Sequence, residues 1–241
     1  MSREVSTVRR HFVSAAMGAA ASAILAGCSN VATNASKKDS ETAKEGEEDV
    51  SPAEDLMREH GVLKRVILVY REAVRRIDAG QELPPEVLTG SAELIRRFIE
   101  NYHEKIEEQH LFPRFRKANR LVELVDTLET QHKKGRILTD AVIRLATPVG
   151  LKAGSSRNEI KTALQAFIRM YEPHEAREDT VLFPEFRRIV SPSEYDALGE
   201  DFEKKEHELF GEDGFEKNVA EVAKFEKALG IYDLAQFTPS V

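Results

Sequence analysis

Residues 103–116 read His-Glu-Lys-Ile-Glu-Glu-Gln-His-Leu-Phe-Pro-Arg-Phe-Arg, and residues 174–187 read His-Glu-Ala-Arg-Glu-Asp-Thr-Val-Leu-Phe-Pro-Glu-Phe-Arg. Both copies follow one pattern: His-Glu, two variable positions, Glu, an acid, two variable positions, then Leu-Phe-Pro-x-Phe-Arg. On a helix, His103/Glu107 and His174/Glu178 are spaced i, i+4, so each pair projects from one face one turn apart. An exposed ion pair would account for one such spacing. It does not account for two copies that share the flanking Leu-Phe-Pro.

The sequence around the repeats is helical in period. Ser51-Pro52-Ala53-Glu54 offers an N-cap, a proline at the first helical position and a capping-box glutamate. Leu56, His60, Leu63, Ile67, Tyr70, Val74 and Ile77 then recur at three and four until Gly80 closes the helix. A second helix, entered after Pro84-Pro85, carries the first repeat and is expected to bend or end near Pro113. A third runs from about Leu121 to Leu145. The fourth begins at the capping box Ser156-Arg157-Asn158-Glu159 and passes through Pro173, an expected kink, into the second repeat. Ser191-Pro192-Ser193-Glu194 starts another helix that stops at Gly211, and Phe215 to Leu229 forms a last one. No window alternates like a strand. The expected fold is all-α: an up-down-up-down four-helix bundle over residues 51–190, with a C-terminal helical extension over 191–235.

Of the seven histidines, His60, His103, His132 and His174 fall one on each bundle helix. A lone histidine on an apolar face is an ordinary hydrogen-bonded core residue, but four can converge if they lie at one level. His60 and His132 stand about nine and twelve residues after their helices begin, and His103 and His174 about ten before Pro113 and Pro184. At ~1.5 Å per residue these depths agree within roughly one turn. A carboxylate one turn from an imidazole can bridge two metal ions, and imidazole with carboxylate suits iron, manganese or zinc.

His60, His103-x-x-x-Glu107 with Leu111-Phe112-Pro113, His132, and His174-x-x-x-Glu178 with Leu182-Phe183-Pro184 together resemble the hemerythrin-like, HHE cation-binding family. The resemblance covers about residues 53 to 190. It implies a bundle holding two iron ions in an oxo-bridged non-haem centre that binds dioxygen or related small oxidants. The implied ligands are His60, His103, Glu107, His132, His174 and Glu178, with Glu107 and Glu178 bridging. Glu104, Glu129, Glu175, Asp179 and His207 are candidates to surround them.

Two departures bear on the chemistry. Hemerythrins carry a second histidine four residues from the one on the third helix, where this chain has Leu128 and Arg136. Their last carboxylate lies five residues after its histidine, which selects Asp179, whereas the internal repeat selects Glu178. If each iron takes about six ligands, the set fills about ten of twelve places. The additional open place favours anions, peroxide and redox turnover over reversible oxygen carriage, unless Glu129, Glu104 or His207 fills it. His110 has Val181 as its counterpart in the second copy and is assigned to packing or the surround. Tyr70, Tyr102 and Tyr171 are core positions, any of which can border the metals.

Three functions follow: a dioxygen-binding or sensing protein, a peroxidase-like, catalase-like or nitric-oxide-handling enzyme, and a metal-stabilised structural or iron-storage protein. The motifs do not decide whether the chain is an enzyme. With 42 acidic and 35 basic residues and no basic stripe, nucleic acid is not an expected partner.

The first 28 residues have the layout of an export signal. Arg3, Arg9 and Arg10 precede an apolar run, Val13 to Ala26, too short for a comfortable membrane span. Val8-Arg9-Arg10-His11-Phe12-Val13 resembles a twin-arginine signal, and Leu25-Ala26-Gly27-Cys28 resembles a lipobox, with Cys28 lipidated as the first mature residue. Cys28 is the only cysteine, which excludes an intrachain disulfide. Residues 29–50 are polar and charged and read as a flexible tether. The expected location is the cell envelope or periplasm, with a lipid anchor as the only membrane contact.

Overall fold

A computed structural model describes residues 50–240; the expected signal, Cys28 and the tether up to residue 49 lie outside the described residues. Ser51 caps the first helix as its sequence suggests, its hydroxyl accepting the Glu54 amide at 3.3 Å, and α1 runs Pro52–Asp78. Gly80, at φ +64°, turns the chain away from it.

Helix α2 occupies residues 85–118, α3 spans Val122–Leu145 and α4 occupies residues 154–189. Ser191 caps α5, Pro192–Phe210, by accepting the Glu194 amide at 3.2 Å, and α6 spans Gly214–Leu229. A 3-10 turn, Leu234–Phe237, follows, and the described residues contain no strand.

The sequence leaves open whether the second helix bends or ends near Pro113. Neither Pro113 nor Pro184 ends its helix, because each is preceded by one wider, π-helical turn, Glu107–Leu111 and Glu178–Leu182. The Phe112 amide bonds back five residues to the Glu107 carbonyl, and Phe183 does the same to Glu178. That turn accommodates a proline ring which would otherwise meet the carbonyl four residues back. A further π-helical stretch, Ile95–His103, occurs in α2 and has no counterpart in α4. The α-helical part of α4, Gly154–Arg177, continues through Pro173.

The capping box at Ser156 is not used, since α4 already begins at Gly154. Arg157 is drawn instead to the end of α1, where its guanidinium donates to the carbonyls of Arg76, Ile77 and Gln81. Those carbonyls lie at the partly negative end of the helix, where a cation is favoured.

Cross-helix pairs fix the antiparallel registers. Between α1 and α4, Lys161 pairs with Asp78, Arg71 with Glu172, and Lys64 with Asp179. Between α2 and α3, Arg96 pairs with Asp140, Arg136 with Glu104, and Arg116 with Asp126. Helix α6 packs on α1 and α2, where Arg65 holds Glu226 through two guanidinium nitrogens at 3.0 and 2.5 Å. The core along the bundle is aromatic: Tyr70 meets Phe167 edge-on at 5.2 Å, and Phe98 and Tyr102 meet Phe210 of α5 at 5.6 and 5.5 Å.

Candidate metal centre

The level argument from the four histidines predicts convergence, and the structure brings all four together. His60 and His103 lie with ring centroids 4.7 Å apart, and His132 and His174 with centroids 5.0 Å apart. All four are buried.

Their Nε2 atoms face Glu107 and Glu178. Nε2 of His60 lies 3.3 Å from Glu178 Oε2, and Nε2 of His174 lies 3.1 Å from Glu178 Oε1. Nε2 of His103 and of His132 lie 3.7 and 3.4 Å from Glu107 Oε2. Two donor groups result: His60, His103, Glu107 and Glu178 at a first position, and His132, His174 and Glu178 at a second. Glu178 belongs to both, and Glu107 reaches toward the second through His132.

The other nitrogen of each ring is held from outside. Nδ1 of His60 contacts Asp179 Oδ1 at 2.7 Å, and Nδ1 of His103 contacts Glu59 Oε2 at 2.7 Å. Nδ1 of His132 contacts Glu108 Oε1 at 3.2 Å, and Nδ1 of His174 contacts Gln131 Oε1 at 2.8 Å. A hydrogen bond at Nδ1 fixes the tautomer that leaves the Nε2 lone pair for an ion. The scheme has an approximate two-fold symmetry. The residue before each histidine of α1 and α3 holds a repeat histidine, and the acid after each central glutamate holds the histidine of α1 or α3.

This symmetry gives the Phe of each Leu-Phe-Pro a task. Phe112 stacks on His132 at 5.5 Å and 23°, and Phe183 stacks on His60 at 5.6 Å and 20°. The π-helical turn sets each phenylalanine five residues after its glutamate, over the ring supplied by another helix.

The electrostatics of this core fit a cation. All four carboxylate oxygens of Glu107 and Glu178 are buried and accept no hydrogen bond of normal geometry. Burying carboxylates unsatisfied costs several kcal/mol each. Burial and then the charge of Glu178 push Glu107 well above the usual carboxylate range. Burial also opposes ionisation of Glu178, but the imidazoles of His174 and His60 overcome it and hold Glu178 well below that range. Burial works against charge on His60, yet Asp179 and Glu178 raise it to about 9. Burial and the neighbouring imidazole of His60 hold His103 well below the ordinary value. A divalent or trivalent ion would satisfy the carboxylates and take the lone pairs, and a nitrogen-and-carboxylate donor set suits iron, manganese or zinc.

Residues read as surrounding the centre divide. Asp179 contacts His60 at Nδ1 from outside, while Glu178 faces the Nε2 atoms of His60 and His174. Glu104 accepts the Tyr171 hydroxyl at 2.7 Å and pairs with Arg136 at 2.6 Å. Glu175 is buried beside this shell, and burial raises it to about 7. Two expectations are corrected. Glu129 pairs with Arg116 and Lys133 at the surface, and His207 is exposed on α5. His110 packs edge-on against Phe202 at 5.4 Å.

At the positions where hemerythrins carry a further histidine, Leu128 is core and Arg136 bridges Glu104 and Glu108, each at 2.6 Å. Sequence reading missed Glu59, Glu108 and Gln131, and also Gly135. A Cβ at Gly135 would lie 2.0 Å from the Tyr171 hydroxyl, so a mid-helix glycine is what lets that phenol pass α3 to reach Glu104.

Comparison with known families matches the Hemerythrin HHE cation binding domain over residues 51–150 and 123–237. Uncharacterized protein Mb2018 of Mycobacterium bovis and Uncharacterized protein Rv1995 of Mycobacterium tuberculosis are each 47% identical over 232 residues, covering 96% of this chain and 91% of the relative. No solved structure matches the chain. The doubled His-x-x-x-Glu, the convergent imidazoles and the match over most of the chain have one reading: this protein belongs to the hemerythrin HHE cation-binding family.

Proposed function

We propose that the chain holds two iron ions, one at each position, and binds or senses dioxygen or a related small oxidant. The observation that carries this reading is the pair of buried carboxylates, Glu107 and Glu178, which accept no hydrogen bond of normal geometry yet lie 3.1–3.7 Å from four imidazole Nε2 atoms. Bound iron would supply exchangeable electrons and an open coordination place. The residues contribute the rest: four Nδ1 contacts fix the donor rings, Phe112 and Phe183 cover two of them, and burial excludes bulk water.

Anaerobic reduction of iron-loaded protein followed by admission of air is the test. A reversible oxygenated spectrum is expected; irreversible oxidation without an adduct contradicts it.

A second reading, turnover of peroxide or nitric oxide, is favoured by Arg136. It pairs with Glu104 and Glu108, and neither it nor Leu128, the two positions where hemerythrins carry a further histidine, offers a donor to the second position. Steady-state loss of peroxide or nitric oxide that is abolished by His103→Ala supports it, and turnover unaffected by that change rejects it. A structural or iron-storage role predicts neither behaviour.

The place of action is also proposed. The twin-arginine-like signal and Cys28 point to export and a lipid anchor outside the cytoplasm. Among the described residues no helix is long and apolar enough to cross a membrane. Retention of a Cys28→Ser variant in the membrane fraction would contradict the anchor.

A further inference from the structure

We propose that the two metal positions hold their ions unequally, the one built on His132 and His174 being the labile one, and that the amide of Gln131 sets much of the difference. This rests on the two-metal reading above and adds a positioning residue to it.

At the first position both imidazoles are backed by carboxylates at short range, His60 by Asp179 and His103 by Glu59, each at 2.7 Å. A carboxylate accepting from Nδ1–H pushes electron density to Nε2 and makes it a stronger donor to metal. At the second position only His132 has such a partner, Glu108, at 3.2 Å. That carboxylate is also shared with two cations, Arg136 at 2.6 Å and Lys105 at 2.5 Å, which draw off its charge more than the single, more distant Lys64 at 3.3 Å does for Asp179. His174 is backed at 2.8 Å by the uncharged side chain of Gln131. Hydrogen bonds to a neutral acceptor are roughly half as strong as those to a charged one.

The symmetry of the site makes the comparison internal. Gln131 precedes His132 as Glu59 precedes His60, and each holds the repeat histidine of the adjoining helix. Among the four outer partners, Gln131 is the one amide.

Partners of this kind change metal affinity by about 10–100-fold. Iron(II)-loaded protein, mixed anaerobically with excess bipyridyl, should therefore release one equivalent about tenfold or more faster than the other. Gln131→Glu, nearly isosteric at a half-buried position, should slow the fast phase and bring the two rates within about threefold. Glu59→Gln should instead accelerate the slow phase. Far-ultraviolet circular dichroism of each sample establishes that the helices are intact, and if one variant does not fold, the other tests the assignment from the opposite direction.

A single rate for both equivalents in the unaltered protein overturns the inequality. Unchanged rates in whichever variants fold overturn the role of the Nδ1 partners. A chain that never takes up two ions removes the two-metal reading itself and this inference with it, an outcome distinct from two ions leaving together.

Discussion

Each imidazole at this centre does its work through two atoms, and the sequence makes only one of them visible. The spacing of His103 with Glu107, and of His174 with Glu178, places Nε2 and a carboxylate on one helical face. The Nδ1 contacts run between helices, as from His60 to Asp179, so no local period reveals them. A faint signal existed in the acid that follows the glutamate in both repeats. Glu129 and His207 failed as candidates because residue type says nothing about facing; Glu129 has two basic neighbours of its own. Asp179→Asn keeps the ring contact but removes its charge, and should weaken metal binding by about 10–100-fold, measured by competition with a chelator. The free chain must also lose protons to load. His60 titrates near 9, above its ordinary value, so it is charged at neutral pH and an ion at Nε2 has to displace that proton. Affinity should therefore fall at least tenfold per unit as pH drops below about 9, since Glu107, raised by burial, must lose its proton as well, with proton release on loading seen in weakly buffered solution.

Helix starts at Ser51 and Ser191 were legible because a serine, a proline and a glutamate at fixed spacing satisfy the free amides of a first turn. The box at Ser156 had the serine and the glutamate but not the proline and went unused, since α4 already begins at Gly154, and Arg157 reaches the carbonyls at the end of α1. Proline gave an incomplete signal as well. Pro113 and Pro184 announce a disturbance without saying that the helix absorbs it in one wider turn. Gly135 is the element-scale position with the sharpest consequence. Alanine there would gain about 1 kcal/mol in helix propensity, yet its methyl would overlap the Tyr171 hydroxyl. Gly135→Ala should destabilise the fold by about 1–3 kcal/mol as overpacking does. Tyr171→Phe in the same chain should recover part of that loss, a coupling that a double-mutant cycle in denaturant reads directly.

At the scale of the whole molecule, a four-helix count, the antiparallel order and a C-terminal extension all follow from period and punctuation. How the extension docks does not, because contacts such as Arg65 with Glu226 join residues far apart in the chain. The bundle around the centre carries buried carboxylates and imidazoles that only an ion would fully satisfy, so metal and fold should be thermodynamically linked. An ion present at about a thousand times its dissociation constant contributes about 4 kcal/mol. Removal of metal should lower the melting temperature by roughly 10 °C for a domain of this size, read by circular dichroism.

The central claim is that Glu107, Glu178 and four imidazoles form one site for two ions. Elemental analysis of iron per chain, after anaerobic loading and removal of free metal, tests it most directly when the protein and its Glu178→Gln variant are compared. Two irons per chain are predicted for the unaltered protein, and fewer than one for the variant, because Glu178 serves both positions. One iron or none in the unaltered protein, or two retained without the Glu178 carboxylate, would contradict the account.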